Sequence, residues 1–371
     1  MGAGTTVVAF SGTFIKVRGL LSKFSLPDPS MNRFLSLCAL SAITLLSFAN
    51  TGCQGLAAGG GNNGVPEMGP VFPGIASYVV VDTHDRKVVL SHAADQRRSV
   101  ASLTKIATGV VVLDTIAAAQ GSLDEPLVIP GSVMGLGTSA LGLQPGDSMS
   151  IRDALYCALM GSDNFAAQAL AEHVGAKIIN LTGQGGSPAG AFVLQMNALA
   201  RQLGMTQTNF TTPHGLDVGN PQGTSTAADM ARLTMHAIDK GNFNFFVSQA
   251  SRKVSYNSAG GSKSFIVKNT NEALGRNGID GVKTGTTQLA GPCLIITAPR
   301  PATVVKQADG TTLVVPHRLV VVLLGAQDRF NQASQLLGQG WAAYDGWQAA
   351  GRQVQTAGEL LTAPVAAAPS R

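Results

Sequence analysis

The sequence predicts an α+β fold, in which one antiparallel sheet built from N- and C-terminal segments is flanked by helices and receives an inserted helical lobe. Segments rich in Val and Ile lie near both ends of the patterned region, and helical segments lie between them. The composition agrees with a large folded core, because 45% of the 371 residues are hydrophobic and only 13% are charged. These values exclude a disordered chain.

The elements follow from local periodicity. Residues 75–82 and 87–91 predict a hairpin around a polar turn. Apolar residues at helical spacing predict a helix over 102–119. Further predicted elements are helices at 151–160, 164–174, 190–203 and 226–239, strands at 265–267, 279–287, 294–297 and 319–324, and a last helix at 330–346. Residues 303–315 predict a surface hairpin that turns at Asp309-Gly310.

Residues 1–52 predict an export segment. Fifteen mostly apolar residues, 34–48, follow Arg33 and are too short to span a bilayer comfortably. Glycine-rich sequence follows and predicts a linker over 53–70. Both Met1 and Met31 fit as the start of the signal. We therefore expect an exported protein on the periplasmic or cell-envelope side of the cytoplasmic membrane.

Cys53 is a candidate lipid-attachment site, because Thr-Gly-Cys after an apolar run is similar to a bacterial lipobox. Asn50 departs from that pattern, and cleavage after Ala49 by an ordinary signal peptidase is the alternative. Membrane attachment is expected only through an N-terminal lipid. Cys157 and Cys293 lie among apolar residues and are predicted to be buried.

The folded domain is predicted over 71–347, followed by an Ala-rich disordered tail over 348–371. The formal charge of +5 is concentrated in residues 1–52, which contain four basic residues and one acidic residue. No basic stripe with interleaved aromatic residues follows that segment, which argues against nucleic acid as a partner.

Ser102 and Lys105 form the first candidate catalytic pair. Of the eleven lysines, only Lys105 has a serine three positions before it, and residues three apart on a helix share a face. A serine hydroxyl needs a base to take its proton, and a lysine can be that base only when its amine is neutral. Burial or a neighbouring cation would have to lower its pKa. The alternative for an isolated Ser-x-x-Lys is a surface helix turn.

Ser162 and Asn164 form a second motif at the start of another predicted helix. In the functional interpretation, Ser162 relays a proton between Lys105 and the leaving amine, and Asn164 donates a hydrogen bond to a substrate carbonyl. The alternative is an ordinary helix N-cap, since serine is a preferred cap residue.

Lys283, Thr284, Gly285 and Thr286 lie in a predicted strand and contain the only Lys-[Ser/Thr]-Gly match in the chain. The cation and the two hydroxyls make a candidate carboxylate site, and Gly285 would let ligand backbone pair closely with the strand. A cation here would also lower the pKa of Lys105. The alternative is an ordinary strand that ends in a glycine turn.

The three motifs in this order, on helix, helix and strand, resemble the penicillin-recognising serine enzymes. Their surroundings are most similar to the serine-type D-alanyl-D-alanine carboxypeptidases, the low-molecular-mass penicillin-binding proteins. The matching segments, between about 76 and 347, are 81–82, 94–95, 99–105, 213–217, 225–230, 269–271, 280–285 and 290–293. The resemblance implies a β-lactamase/transpeptidase-like fold.

The resemblance also implies roles. Ser102 would be the acyl-ester nucleophile, Lys105 its base, Ser162 a proton shuttle and Lys283 the carboxylate anchor, with the backbone amides of Ser102 and Thr286 as the oxyanion hole. The expected reaction removes the terminal D-Ala from peptidoglycan stem peptides, with β-lactams as covalent inhibitors and no cofactor or metal. An endopeptidase acting on cross-links and a non-catalytic cell-wall or penicillin-binding module are the alternatives.

Asp163, between Ser162 and Asn164, resembles the motif of class A β-lactamases. Those enzymes use a glutamate between the second and third motifs to activate the deacylating water. No Glu occurs between Glu172 and Glu272, which argues against an efficient class A β-lactamase.

Overall fold

The computed structural model describes residues 64–217 and 222–362, together with the short strand Thr6–Val7. Apart from that strand, the predicted export segment lies outside the described residues. So do Cys53, most of the predicted linker and the end of the predicted tail, residues 363–371.

The described chain alternates between strands and helices in a mixed order. The strands are β1 (Thr6–Val7), β2 (Ile75–Asp82), β3 (Val88–His92), β4 (Pro126–Val128), β5 (Ser148–Ser150), β6 (Ser251–Ser258), β7 (Gly261–Lys268), β8 (Gly281–Thr287), β9 (Gly291–Lys306) and β10 (Thr312–Ala326). The helices are α1 (Lys105–Ala118), α2 (Ile151–Leu159), α3 (Asn164–Thr182), α4 (Pro188–Gln202), α5 (Ala227–Asp239), α6 (Gly241–Val247) and α7 (Arg329–Ala349). This arrangement confirms the predicted α+β class.

The central sheet joins strands from both ends of the domain, in the order β3-β2-β10-β9-β8. The pairs β2–β3, β2–β10 and β8–β9 are antiparallel. Side chains alternate across the sheet, so that Val79 and Val81 join the core that contains α1, while Tyr78 and Val80 join the core under α7. Both faces of β2 are therefore buried, and β8 lies at the edge of the sheet, beside the helical lobe.

The helical lobe lies in sequence between β3 and β8. A 3-10 turn, Ala101–Thr104, precedes α1. This turn and α1 are long and apolar enough to cross a membrane, but most of the segment is buried inside the protein, as in a core helix. The predicted helix at 164–174 continues to Thr182, where Gly183 ends it in the left-handed conformation.

A second sheet, β4-β5-β6-β7, was largely missed by the sequence prediction, which identified only residues 265–267. Its longest pair, β6–β7, buries Val254 and Val267 but exposes most of its other side chains. Such strands carry few apolar residues, and their alternation is therefore weak in the sequence.

Residues 304–314 belong to a separate compact unit, in which β1 pairs in parallel with Thr312 and Leu313. The chain turns at 307–311, and Gly310 has a φ of 79°. The predicted surface hairpin is therefore the outer part of the long strands β9 and β10.

Residues 348–362 differ from the predicted disordered tail, because they pack against the domain. Leu361 is fully buried in the core, and its backbone N–H donates to Arg86 O at 2.9 Å. Lys87 Nζ lies 2.5 Å from Glu359 Oε2, and both side chains are buried. The Ala- and Pro-rich composition gave no sign of these long-range contacts.

Candidate active site

Ser102 lies in the 3-10 turn immediately before α1. Ala101, directly before it, has a φ of 49°, which is unusual for a residue with a side chain. Lys105 begins α1, and its Nζ donates to Ser102 Oγ at 3.0 Å. The predicted nucleophile and base are therefore in hydrogen-bond contact.

Lys105 is fully buried. Its Nζ also donates to Asn164 Oδ1 at 2.7 Å and to the backbone oxygen of His214 at 2.9 Å. Burial lowers the pKa of Lys105 to about 7, although the negative charge of Asp163 acts in the opposite direction. A large fraction of this amine is therefore neutral near neutral pH and can accept a proton.

Ser162 faces the other buried lysine. Its φ is 58°, and its Oγ accepts a hydrogen bond from Lys283 Nζ at 2.9 Å. Lys283 also donates to Thr284 O at 2.9 Å. Burial lowers the pKa of Lys283 well below its usual value, and the charges of Lys105 and Arg329 lower it further. The Ser162 hydroxyl is thus held by Lys283, and in the described part of the chain it forms no hydrogen bond with Lys105, its predicted relay partner.

Asp163 and Asn164 have separate structural tasks. Asp163 is the N-cap of α3 and accepts from the backbone N–H of Ala166 at 2.9 Å and from Ser139 Oγ at 2.5 Å. The N-cap alternative that the sequence left open for Ser162 therefore applies to Asp163. Asn164, expected to donate to a substrate carbonyl, also positions Lys105 through its own carbonyl oxygen.

Gly285 packs closely against the 3-10 turn that contains Ser102. A Cβ built at Gly285 would lie 3.0 Å from Val100 O and 3.1 Å from Ser102 N. The sequence analysis explained this glycine by the approach of ligand backbone, whereas the contact seen here is with the protein itself. Strand β8 is thereby held directly beside Ser102.

The two threonines of the third motif differ in their partners. Thr284 Oγ1 lies 2.6 Å from Thr270 Oγ1, and Thr284 is buried. Thr286 Oγ1 donates to Gly285 O at 2.8 Å and accepts from Arg329 Nη1 at 2.7 Å. The hydroxyl of Thr286 is therefore oriented by a cation.

Arg329 is a candidate functional residue that the sequence analysis missed. It begins α7, and its Nη1 also donates to Gly285 O at 3.0 Å. No local motif surrounds it, and it lies 44 positions after Gly285 in the chain. Lys283 and Arg329 thus place two basic side chains at this end of the site, where they could bind a carboxylate.

His214 contributes through its backbone oxygen rather than its ring. The ring is buried, its Nδ1 accepts from the backbone N–H of Leu216 at 3.2 Å, and burial together with the charge of Lys105 lowers its pKa to about 3. Cys157 and Cys293 are buried free thiols. In residues 64–217 and 222–362, no group of three or more His, Cys, Asp or Glu side chains is arranged to hold a metal ion.

Residues 74–307 match the family model described as D-alanyl-D-alanine carboxypeptidase. The chain is 31% identical over 280 residues to D-alanyl-D-alanine carboxypeptidase DacC of Escherichia coli, an alignment that covers 72% of this chain and 62% of that protein. It is 32% identical over 228 residues to the D-alanyl-D-alanine endopeptidase of the same organism, covering 59% and 66%. The chain thus spans less than two thirds of the length of these curated relatives.

The fold is also similar to solved structures. The crystal structure of the Streptomyces K15 DD-transpeptidase superposes with a TM-score of 0.62 at 26% sequence identity. The superposition covers 75% of this chain and 100% of that chain. The similarity therefore extends over the whole of that transpeptidase.

Proposed function

Because the chain belongs to the D-alanyl-D-alanine carboxypeptidase family, we propose that it removes the terminal D-Ala from peptidoglycan stem peptides through an acyl-enzyme on Ser102. The observation that carries this proposal is the 3.0 Å contact between Ser102 Oγ and Lys105 Nζ, with the pKa of Lys105 lowered to about 7. A hydroxyl beside a buried neutral amine is an activated nucleophile.

In the acylation step, Lys105 takes the proton of Ser102 while Ser102 Oγ attacks the carbonyl carbon of the scissile peptide bond. The backbone N–H groups of Ser102 and Thr286 would stabilise the oxyanion, each being typically worth about 10²–10³ in rate. The carbon–nitrogen bond then breaks. Ser162 relays the proton that Lys105 took from Ser102 to the leaving amine, so that Lys105 is neutral again, D-Ala departs and an ester on Ser102 remains.

In the deacylation step, water attacks the ester carbonyl and gives up a proton to Lys105. The bond between the carbonyl carbon and Ser102 Oγ then breaks, Lys105 returns the proton to Ser102 Oγ, and the shortened peptide is released. A β-lactam would acylate Ser102 in the same way. Its ring-opened product stays attached to the enzyme, so slow deacylation makes it a covalent inhibitor.

The carboxylate of the terminal D-Ala would bind at the positive end of the site, to Lys283, Arg329 and the hydroxyls of Thr284 and Thr286. Three of these side chains already form hydrogen bonds around the oxygen atoms of β8. Burial lowers the pKa of Lys283, and an arriving carboxylate offsets this effect by favouring the charged ammonium.

The test is the release of D-Ala from a pentapeptide that ends in D-Ala-D-Ala, together with mass spectrometry after treatment with penicillin. We expect turnover and one adduct on Ser102 in the wild type, and neither in Ser102→Ala. Ser255→Ala, which removes an exposed hydroxyl on β6, is the matched control and should behave as the wild type. Folded wild-type protein with an unmodified Ser102 would refute the proposal.

Endopeptidase action on cross-links is the second candidate, and it is favoured by the endopeptidase relatives at 32% identity. Analysis of the products from cross-linked and uncross-linked muropeptides separates the two activities. A wild type that binds muropeptide without releasing any product would instead favour a non-catalytic module.

We also propose export to the periplasmic or cell-envelope side of the membrane, supported by the apolar run at 34–48 and by a substrate that lies outside the cytoplasm. A lipid on Cys53 would provide the attachment, and stable anchoring needs more than one acyl chain. Labelling with a radioactive fatty acid tests this. Label that persists in Cys53→Ser would count against it.

A further inference from the structure

The carboxylate of Asp217 joins two segments that frame the active site. Its Oδ1 accepts a hydrogen bond from Ser99 Oγ at 3.0 Å, and its Oδ2 accepts one from the backbone N–H of Leu289 at 3.0 Å. Ser99 lies three residues before Ser102, and Leu289 lies three residues after Thr286. One side chain therefore connects the nucleophile segment to the turn between β8 and β9.

The segment that leads to Asp217 is itself fixed on α1. Pro213 O accepts from Thr108 Oγ1 at 2.6 Å, and His214 O, the next carbonyl along the chain, accepts from Lys105 Nζ. Gly215 has a φ of 77°, and a Cβ built there would lie 2.0 Å from Ala101 O. Only glycine permits this approach. These contacts fix the position of the segment that carries Asp217 relative to the 3-10 turn that contains Ser102.

The distance between the two connected segments matters for the proposed chemistry. One proposed oxyanion donor, the N–H of Ser102, belongs to the segment that contains Ser99. The other, the N–H of Thr286, belongs to the segment that contains Leu289. Such donors must lie about 2.7–3.1 Å from the oxyanion. A displacement of about 1 Å in a catalytic arrangement can cost about 10²-fold in rate. Hydrogen bonds to an ionised carboxylate are stronger than neutral ones, so they suit this task.

We propose that Asp217 is a positioning residue for acylation, which fixes the separation of the Ser102 and Thr286 amides without touching the substrate. This inference rests on the proposed function, because it concerns the rate at which Ser102 becomes acylated. It assigns to Asp217 an effect on the transition state rather than on substrate affinity.

The experiment compares the full-length wild type with Asp217→Ala and Ser99→Ala. We expect Asp217→Ala to slow acylation by penicillin, and to lower kcat for D-Ala release, by about 10- to 100-fold. Ser99→Ala removes one of the two bonds and should have a smaller effect in the same direction. KM should change little, and the final labelling should still approach one adduct per chain. A role limited to folding would instead lower the labelled fraction and leave the rate constant unchanged.

Two further variants sharpen the comparison. Asp217→Asn keeps an acceptor oxygen and should recover part of the lost rate. Asp153→Asn is the matched control, since Asp153 Oδ2 also accepts from a distant backbone N–H, that of Ser255, at 3.1 Å, but outside the active site. Its acylation rate should stay close to that of the wild type.

Acylation of Asp217→Ala at the wild-type rate would overturn the inference, and so would a loss confined to the labelled fraction. If Asp217→Ala does not fold, the rates of Asp217→Asn and Ser99→Ala decide by the same criteria. A wild type that neither forms an adduct nor releases D-Ala contradicts the proposed function instead, so the two failures are distinguishable.

Discussion

At the scale of single residues, Lys105 illustrates how burial can make an amine neutral, as its proposed role of base requires. Its amine is surrounded by three oxygen acceptors, from Ser102, Asn164 and His214, and it has no access to solvent. Loss of hydration disfavours the charged form, while Asp163 favours it, and the balance lowers the pKa of Lys105 to about 7. The same side chain on the surface would remain charged and could not activate Ser102.

We expect the rate of Ser102 acylation to rise with pH and to reach half its maximum near pH 7, because only the neutral Lys105 accepts the proton. Asp163→Asn should preserve the α3 N-cap, since asparagine caps as well as aspartate. It should also remove the charge that raises the pKa of Lys105. The midpoint should therefore move to lower pH. Stopped-flow acylation by a chromogenic β-lactam measures both profiles.

A midpoint that is the same in Asp163→Asn and the wild type would contradict this assignment of the base. Lys105→Arg provides the second comparison. A guanidinium stays charged throughout the accessible pH range, so this variant should fail to acylate at every pH.

Short spacing determined which site residues the sequence could predict. Ser102 and Lys105 lie within one helical turn, and Lys283 begins a four-residue motif, so each was recognisable locally. Arg329 and the backbone oxygen of His214 reach the site through tertiary contacts. Nothing in the residues next to them in sequence indicates those contacts.

At the scale of elements, strands that are buried on both faces could be predicted from the sequence, whereas strands with mostly exposed side chains could not. The β2–β3 hairpin was predicted correctly, because both its strands consist mainly of buried residues, rich in valine. The exposed pair β6–β7 and the segment after α7 were not. The latter packs through Leu361 and through Glu359, whose partner Lys87 lies 272 positions earlier in the chain.

The buried ion pair between Lys87 and Glu359 predicts that a single substitution in it lowers the stability of the protein strongly. Glu359→Gln leaves a buried ammonium without its counter-charge and should lower the free energy of unfolding by about 3–5 kcal/mol. Asp114→Asn, which breaks an exposed pair with Lys240, is the control and should cost less than about 1 kcal/mol. Denaturant unfolding measures both values.

The double variant Lys87→Met/Glu359→Leu removes both charges and should recover most of the lost stability, because no ion is then left buried. Equal stability of Glu359→Gln and Asp114→Asn would show that the ordered C-terminal segment does not depend on this pair.

At the scale of the whole molecule, one sheet separates two hydrophobic cores. One core contains α1 and the helical lobe, and the other lies under α7. The order of strand-like and helical segments predicted a sheet closed by both ends of the domain, because consecutive helices must pack on such a sheet. The register between β2 and β10 could not be predicted, since both strands present apolar residues on both faces.

Asp82 lies where β2 leaves this double core, and it makes the stability of the whole domain depend on pH. Its side chain is buried, its Oδ2 accepts from the backbone N–H of Asp85 at 2.8 Å, and in the described part of the chain its Oδ1 has no hydrogen-bond partner. Burial raises the pKa of Asp82 to about 6, and the negative charge of Asp85 adds to the effect. The hydrogen bond from the backbone N–H of Asp85 acts in the opposite direction, as do the charges of His84 and Arg352.

Because the folded pKa of Asp82 lies above its unfolded value, its contribution to stability is complete below the unfolded pKa near 3.8 and disappears as the pH rises through about 6. Each pKa unit corresponds to about 1.4 kcal/mol, so the free energy of unfolding should fall by about 3 kcal/mol across this window. Asp82→Asn should flatten that fall, whereas Asp345→Asn, an exposed carboxylate paired with Arg300, should leave it in place. Urea unfolding at several pH values measures the slopes, and an unchanged slope in Asp82→Asn would exclude Asp82 as its source.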